Sequence, residues 1–494
     1  MRSVAPGIVP AIAIDRSAAK PLYQQICDAY RDAIAEGRLR GSQRLPSTRT
    51  LAAALEVSRI PVLNAFDQLL AEGYFESRVG SGTFVSSTLP DDAGSLRRPA
   101  ARPGARRPGT RSIARRPAAL LRASPEPEPW LKGFGAFRMS EPALDHFPFR
   151  IWSRLVARHS RGIRPDALNY GSPMGALPFR QALAAYLRTA RAVRCEAEQI
   201  MVVSGSQQAL EITARVLLDP RQPVWVEEPG YAGARDALAM AGARLVPVPV
   251  DHEGLDVAAG IKMCRRARAA LVTPSHQYPL GATMSASRRL QLLDWAQATG
   301  SWIIEDDYDS EYRYESQPIA ALQGLDRDAR VVYVGTFSKV LFPALRVGYL
   351  VIPTDLVDRF SAVREAMDIC PPALNPAVLA DFIVEGHFAR HLRRTSLLYR
   401  ERRGVLVESL RRSLGDRLQV VGAEAGIHLV ALCDRPGDRS ISLRAAGEGL
   451  WAMPLSTCYL GAPLRHGLVL GYGGTSVAEI PKAVQRLRRA MRTT

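Results

Sequence analysis

The chain has 494 residues, more than one hydrophobic core usually organises, so its length predicts at least two domains. Apolar residues make up 47% and charged residues 23%, and no uninterrupted apolar run approaches the roughly 18 residues of a transmembrane helix, which excludes an integral membrane protein. The net charge of +17 indicates a polyanionic partner.

The first residues and the cysteines predict the compartment. An apolar patch in the first twenty residues is short, is broken by Pro6 and Pro10, and lacks a convincing signal-peptide cleavage site. The six cysteines are scattered, without the close spacing of a metal site or a disulfide framework. We therefore expect a cytoplasmic protein with reduced cysteines, no metal site and no membrane partner.

The first predicted domain begins with three helices. In "PLYQQICDAYRDAIAEGRL", apolar residues recur at three- and four-residue spacing up to Gly37, which predicts an amphipathic helix with a stop. Ser47 and Ser58 can each open a further short helix, and a tight turn separates the two. The glycines of "EGYFESRVGSGTFV" then stand between two β-prone pieces. This order predicts a helix-turn-helix followed by a β-hairpin wing.

The stretch "LPSTRTLAAALEVSRIPVLNAFDQLLAEGYFESRVGSGTFV" resembles the winged helix-turn-helix of the GntR family of bacterial regulators. The resemblance implies an α+β DNA-binding domain over residues 15–86. It places phosphate and base contacts and the wing tip at Arg49, Ser58, Arg59, Gly80 and Gly82. A helix N-terminus offers amides to phosphate, and an arginine can bind guanine through two hydrogen bonds. Pro61 departs from the small polar residue that many relatives carry, which leaves the neighbouring base contact open.

The domain that follows is separated from this one by a basic segment, residues 87–130. Its core, "LRRPAARPGARRPGTRSIARRPAAL", carries eight arginines and no acid, and its prolines and glycines interrupt any helix or strand. Two interpretations stay open for this predicted flexible linker. It serves only as a solubilising tether, or it attracts DNA phosphates without reading sequence.

After about residue 134, short apolar strands alternate with helices, as in "QIMVVS" followed by "GSQQALEITARVLL". This order predicts an α/β fold with a mostly parallel sheet, whose site lies at the carboxyl ends of the strands. "IIEDDY" ends one buried strand with acids, and "VGTFSK" ends another with a lysine. A lysine beside an arginine and facing an acid suits pyridoxal phosphate, because the amine binds the aldehyde and the acid pairs with the pyridine nitrogen. The turn "SGSQQAL" offers helix N-terminal amides to the phosphate.

Residues 131–494 closely resemble the fold-type I pyridoxal phosphate-dependent aminotransferases, which implies an aminotransferase-like large domain for cofactor binding, effector sensing and dimerisation. More narrowly, "YGSPMG", "EEPGY", "TPSHQYPLGATM", "IIEDDYDSEYRY" and "GTFSKVLFPALRVGYL" are similar to motifs of the MocR subfamily, GntR regulators that carry such a domain.

The resemblance implies roles for individual residues of the cofactor site. Lys339 forms the internal aldimine, Tyr308 approaches the phenolic oxygen of the ring, and Tyr231 borders the ring and the effector space. Asp306, chosen over Asp307 by its spacing to the lysine, pairs with the pyridine nitrogen. The phosphate is lined by Ser206, Gln207, Thr336, Ser338 and Arg346, and by Tyr170 from the other subunit.

Two positions depart from the pattern or stay unassigned. Aminotransferases commonly have Asn-Pro-x-Gly where this chain has Tyr278 followed by "PLG", so the asparagine that lies near the ring oxygen is absent. His276 and Gln277 are the candidate replacements. The arginine that would bind an effector carboxylate near "GAPLRHGLVLGYGG" is unassigned.

Three functions fit this combination of domains. The first is a transcription regulator, bound to double-stranded operator DNA at the nucleoid, that senses an amine, an amino acid or pyridoxal phosphate itself through Lys339. The resemblance further implies a head-to-tail, domain-swapped homodimer. The second is an active aminotransferase with an accessory DNA-binding domain, and the third is a DNA-binding protein whose large domain is a dimerisation scaffold without a cofactor.

Overall fold

The computed structural model describes residues 12–78, 80–87, 128–133, 135–162, 168–314, 319–415, 418–434 and 436–492. The chain divides into two compact units, Met1–Ser112 and Ile113–Thr494, which we call the small unit and the large unit. Most of the predicted linker, residues 88–127, lies outside the described residues. Its two interpretations therefore stay predictions.

The small unit contains three helices followed by a two-stranded antiparallel hairpin, as the sequence predicts. They are α1 (Leu22–Ala35), α2 (Thr48–Ala54), α3 (Arg59–Ala71), β1 (Phe75–Arg78) and β2 (Gly82–Val85). Their core includes three rings, Tyr30, Phe66 and Phe75, which pack edge to face with centroids 5.1 to 6.0 Å apart. This is a winged helix-turn-helix.

The local sequence explains where α2 and α3 begin. The Ser47 hydroxyl accepts a hydrogen bond from the backbone N–H of Thr50 at 3.1 Å and so caps α2. Ser58 holds the same position before α3 with extended backbone, but its side chain makes no capping bond. The Ser58 hydroxyl is therefore not used to stabilise the helix that follows it.

The large unit alternates strands with helices through its first part and ends in a smaller antiparallel sheet. Its described α-helices are α4 (Pro129–Lys132), α5 (Phe149–Arg161), α6 (Leu177–Arg191), α7 (Ser206–Leu217), α8 (Ala232–Met240), α9 (Val257–Cys264), α10 (Ala286–Thr299), α11 (Leu322–Leu325), α12 (Val357–Asp368), α13 (Leu374–Val384), α14 (His387–Leu414), α15 (Asp438–Gly447) and α16 (Ile480–Arg492). Its strands are β3 (Ile200–Val203), β4 (Pro223–Glu228), β5 (Arg244–Asp251), β6 (Gly254–Leu255), β7 (Ala269–Val272), β8 (Trp302–Asp307), β9 (Val331–Thr336), β10 (Gly348–Val351), β11 (Leu418–Val421), β12 (His428–Cys433), β13 (Met453–Pro454) and β14 (His466–Gly471).

The main sheet of the large unit has the strand order β3-β10-β9-β8-β7-β4-β5-β6. The pairs from β9 through β8, β7 and β4 to β5 are parallel, whereas β10 is antiparallel to both of its neighbours and β6 is antiparallel to β5. Helices pack on this sheet, and its central strands are buried and largely apolar, apart from the acids that end β8. The prediction of a mostly parallel α/β sheet is confirmed, and the parallel strands end at one common edge.

Candidate functional site

The predicted DNA-contacting side chains of the small unit lie on its surface. Arg49 in α2, and Ser58 and Arg59 at the start of α3, are all exposed. The Arg59 Nε donates to the Thr48 hydroxyl at 3.2 Å, which holds the guanidinium beside the first turn of α2. Gly80, with φ of +74°, lies in the turn that joins the hairpin strands. The roles of these residues on DNA remain predictions.

In the large unit, polar side chains converge on one pocket at the carboxyl ends of the strands. It is lined by Ser140, Ser206, Gln207, Tyr231, Thr273, Tyr278, Asp306, Tyr308, Thr336, Ser338, Lys339, Pro343 and Arg346. Nine of the ten residues predicted for the cofactor site are in this set. Each follows or ends a strand of the main sheet, or precedes β10, which explains why residues so distant in sequence meet here.

Lys339 supplies the reactive nitrogen of this pocket. It follows β9 by three residues and is the only amine-bearing side chain among the described residues that line the pocket. Burial lowers the pKa of Lys339 to about 8, although the carboxylates of Asp309 and Asp306 oppose that shift. A substantial share of the amine is therefore neutral near physiological pH, as a nucleophile requires.

The two aspartates at the end of β8 have different partners. Asp307 accepts hydrogen bonds from Arg191 at 2.8 and 3.0 Å and from the Tyr333 hydroxyl at 2.5 Å, all of them buried. Asp306 lines the pocket instead, and its Oδ1 is buried without a hydrogen-bond partner among the described residues. Burial, with Asp307 and Glu227 nearby, raises the pKa of Asp306 to about 7. This carboxyl suits a protonated ring nitrogen, and the contrast supports assigning it rather than Asp307.

One end of the pocket suits a dianionic phosphate. The helix α7 begins at Ser206, directly after Gly205, whose φ of +104° favours glycine. A Cβ on Gly205 would lie 3.2 Å from the guanidinium of Arg346, so the backbone and this arginine approach closely. The hydroxyls of Thr336 and Ser338 lie 3.1 Å apart on the same wall. Helix amides, hydroxyls and a guanidinium are the groups that bind phosphate.

Tyr278 occupies the pocket wall where the asparagine was expected. Its ring meets that of Tyr231 edge to face at 5.5 Å. Neither candidate replacement lies on the pocket wall. The Gln277 amide donates back to Glu227 and to backbone carbonyls, while the imidazole of His276 lies within 3.1 Å of the Asp309 carboxylate. The structure therefore brings neither candidate replacement to the pocket wall, and Tyr278 lies there instead.

Tyr170 is the one predicted cofactor residue that this chain does not bring to the pocket. Its side chain is 76% exposed. The prediction assigns it to the pocket of a second subunit, so its role stays a prediction.

Three further residues line the pocket that sequence reasoning missed. Thr273 directly follows β7 and could have been found by the same rule that singles out the other strand ends. Ser140 and Pro343 lie in connections outside the strands, and Ser140 has a left-handed φ of +65°. No periodicity in the sequence marks these two positions.

Comparison with known proteins agrees with both units. Residues 22–85 match the family of bacterial regulatory proteins, gntR family, and residues 143–487 match aminotransferase class I and II. The probable rhizopine catabolism regulatory protein MocR of Rhizobium meliloti is 43% identical, over 97% of this chain and 95% of its own. The chain belongs to the MocR-type GntR regulators. The pyridoxine biosynthesis transcriptional regulator PdxR of Corynebacterium glutamicum is 32% identical to this regulator, over 91% of each chain.

A solved structure shows what the fold of the large unit binds elsewhere. LysN, an alpha-aminoadipate aminotransferase from Thermus thermophilus, was crystallised with N-(5'-phosphopyridoxyl)-L-leucine. It is 28% identical to this regulator, with a TM-score of 0.68 over 74% of this chain and 93% of its own. The aminotransferase family is dependent on pyridoxal phosphate, and the lysine, acid and phosphate groups of the present pocket fit that cofactor. No described helix combines the length and apolar character that a membrane crossing requires.

Proposed function

We propose that this MocR-type regulator binds operator DNA with a strength that depends on an amino compound, or pyridoxal phosphate itself, in the pocket of the large unit. One observation carries the proposal. A single chain joins a GntR small unit to a pocket that Lys339, with a lowered pKa, shares with Asp306, whose Oδ1 is buried without a hydrogen-bond partner among the described residues. In this proposal the small unit binds the operator, and the pocket of the large unit binds the cofactor and the effector.

The pocket residues divide the work of holding the cofactor. Pyridoxal phosphate, when bound, supplies an aldehyde that reacts with amines and a ring that withdraws electrons. Lys339 presents a partly neutral amine, and Asp306 would accept a hydrogen bond from a protonated ring nitrogen. Arg346 and the N-terminus of α7 would hold the phosphate and neutralise its charge. With an amine effector on the aldehyde in place of Lys339, the lysine side chain would be free, and its charge would change the electrostatics of the pocket beside Asp306 and Asp309.

We also propose the assembly and the domain boundaries. Residues 15–86 form the DNA-binding domain and residues 131–494 the sensing domain, joined by residues 87–130. Two chains pair head to tail, so that Tyr170 of one chain reaches the phosphate held by the other. The exposed side chains of Leu168 and Tyr170, 74% and 76% accessible, support this because burying them against a second copy removes apolar surface from water.

The test measures cofactor state and DNA affinity on the same samples. Operator duplexes are first selected from a random DNA library with the full-length holoprotein, and a panel of amino acids and amines is then titrated. We expect at least one compound that changes the visible spectrum of the cofactor to change operator affinity by about 5- to 150-fold, the range of typical allosteric coupling. The Lys339→Ala variant should show no such response.

Two results would favour the other functions. Conversion of the cofactor to its pyridoxamine form at about 1 per second or faster, with unchanged DNA affinity, would indicate an aminotransferase. A purified protein that neither carries nor binds pyridoxal phosphate would indicate a dimerisation scaffold.

The small unit offers a specific prediction about base reading. Ile60, next to Arg59 near the start of α3, is 67% exposed, and Asn64 lies exposed one helical turn later on the same face. We expect Ile60 to contact a thymine methyl group in the major groove. Replacing that thymine by uracil should weaken binding about 4-fold, since burying a methyl-sized group contributes roughly 0.8 kcal/mol.

A uracil scan of the selected operator checks this expectation. The wild-type regulator should be sensitive at one position in each half-site, and Ile60→Ala should lose that sensitivity while binding the uracil duplex as well as the wild type does. Ile261→Ala, which alters an exposed isoleucine of the large unit, is the matched control and should scan like the wild type. Equal sensitivity in the wild type and Ile60→Ala would contradict the contact.

A further inference from the structure

Behind the pocket wall formed by Tyr308 lies a buried trio of titratable side chains that the proposed function does not use. His276, Asp309 and His428 are each at most 2% exposed, and one possible ligand atom from each lies within 4.8 Å of the others. His276 follows β7, Asp309 follows β8, and His428 begins β12. The trio therefore joins the main sheet to the small antiparallel sheet directly beside the cofactor pocket.

We infer that His276 is a positioning residue that reserves the hydroxyl hydrogen of Tyr308 for the cofactor. The Nδ1 of His276 lies 3.0 and 3.1 Å from the two carboxylate oxygens of Asp309 and 3.1 Å from the Tyr308 hydroxyl oxygen. A carboxylate only accepts, so Nδ1 carries the hydrogen and donates to Asp309. It then has no lone pair with which to accept from Tyr308.

The Nδ1 hydrogen of His276 also keeps the Asp309 carboxylate from accepting the hydroxyl hydrogen of Tyr308. A buried carboxylate needs a donor, and the Tyr308 hydroxyl, 3.1 Å from the same nitrogen, is a candidate donor beside it. Because His276 supplies Asp309, the Tyr308 hydrogen remains free to point into the pocket that Tyr308 lines. The inference rests on the proposed function, in which Tyr308 donates to the phenolic oxygen of the cofactor.

The second nitrogen of His276 agrees with this tautomer. Its Nε2 is buried and has no hydrogen-bond partner among the described residues, so a charged imidazolium would leave an N–H there without an acceptor. His428, whose ring centroid lies 5.0 Å from that of His276, donates its own Nε2 hydrogen to the Pro279 carbonyl at 3.1 Å. Burial lowers the pKa of His428 to about 4, so the His428 ring that faces His276 is uncharged near neutral pH.

The surrounding backbone packs closely against His276 and Asp309. Gly426 has a φ of +72°, and a Cβ there would lie 2.3 Å from the His276 ring and 2.4 Å from an Asp309 carboxylate oxygen. Only glycine fits at this position. The ring of Tyr308 is roughly parallel to that of His428, with an interplanar angle of 22° and centroids 6.5 Å apart.

The test is a mutant cycle on the full-length holoprotein, read as the apparent pKa of the acid–base transition in the cofactor's visible spectrum. A hydrogen bond to the phenolic oxygen stabilises its charged form. Tyr308→Phe should therefore raise that pKa by about one unit, a tenfold change, in the wild type. In the His276→Asn background, where an amide still donates to Asp309, the effect should be the same. In the isosteric His276→Leu background it should fall below about twofold, because Asp309 then captures the Tyr308 hydrogen.

An equal effect of Tyr308→Phe in the wild type and in His276→Leu would overturn the inference while leaving the cofactor site intact. Absence of any visible band in the wild type would instead refute the proposed function. Nitrogen-15 NMR of histidine-labelled wild type gives a check independent of the variants' folding. The signal assigned to His276 should show the Nδ1–H tautomer, and an Nε2–H tautomer would contradict the inference. Metal analysis gives a further check. One bound metal ion per wild-type chain that is absent from His276→Leu would also contradict the inference, because the trio would then be a metal site.

Discussion

A Lys339→Ala variant is expected to lose the visible absorption band of the lysine-bound cofactor completely. Lys339 is the only amine-bearing side chain among the described residues of the pocket wall, so no neighbouring lysine can replace it. Its surroundings also make it reactive, because burial lowers its pKa to about 8. Borohydride treatment of the wild type should leave one reduced phosphopyridoxyl group on the peptide that contains Lys339, and treatment of the variant should leave none.

The operator affinity of Lys339→Ala distinguishes a loss of effector sensing from a loss of DNA binding. Because the small unit has its own hydrophobic core, Lys339→Ala should bind the selected operator within about twofold of the cofactor-free wild type, and only the response to amines should disappear. Lys482→Ala, which removes an exposed lysine from α16, is the matched control and should keep both the band and the response. A band that persists in Lys339→Ala at full strength would show that another residue binds the cofactor.

The strand ends explain how much of this site could be predicted from sequence. Lys339 and Asp306 each stand at the end of an apolar run, and parallel strands bring their carboxyl ends to one edge, so a local pattern was sufficient to place them together. Choosing Asp306 over Asp307 depends on Arg191, which lies 116 residues before Asp307. No local pattern reveals such a partner, and only the spacing within related proteins favours Asp306.

The loop after β7 shows why the rest was not predictable. A motif comparison finds that Tyr278 stands where asparagine is usual, but it cannot show which side chain turns inward. That outcome depends on Gln277 bonding back to Glu227 and on His276 turning toward Asp309, contacts made across 50 and 33 residues of chain. The tautomer of His276 depends in turn on those contacts.

Two neighbouring substitutions, Asp307→Asn and Asp306→Asn, are expected to have opposite effects on the large unit. Asp307 and Arg191 have side chains only 2% and 3% exposed, so Asp307→Asn leaves a buried guanidinium without its charge partner. Loss of one member of a buried pair costs about 3 to 5 kcal/mol of unfolding free energy. The folded fraction of this variant should still bind pyridoxal phosphate with nearly wild-type affinity, because Asp307 does not line the pocket.

Asp306→Asn should instead leave the large unit stable and weaken the binding of the cofactor. The carboxyl of Asp306 has a pKa raised from 3.8 to about 7, so between these values the folded chain binds more protons than the unfolded chain. Its contribution to the free energy of unfolding therefore falls as pH rises through this window, and the asparagine removes that loss. In the cofactor-free state, the free energy of unfolding of Asp306→Asn should increase relative to that of the wild type from about pH 4 to pH 7. The difference should stay constant above pH 7.

Urea unfolding of the large unit at several pH values, followed by pyridoxal phosphate titration, measures both effects in one series. Asp306→Asn should bind the cofactor about 10- to 160-fold more weakly, since a hydrogen bond to a charged group contributes roughly 1.5 to 3 kcal/mol. The wild type compared with Asp307→Asn supplies the control for general damage, because that variant is unstable yet keeps the pocket carboxyl. If Asp307→Asn were the variant that lost the cofactor while Asp306→Asn lost stability, the two carboxylates would have to exchange roles, and Arg191 would belong to the cofactor site.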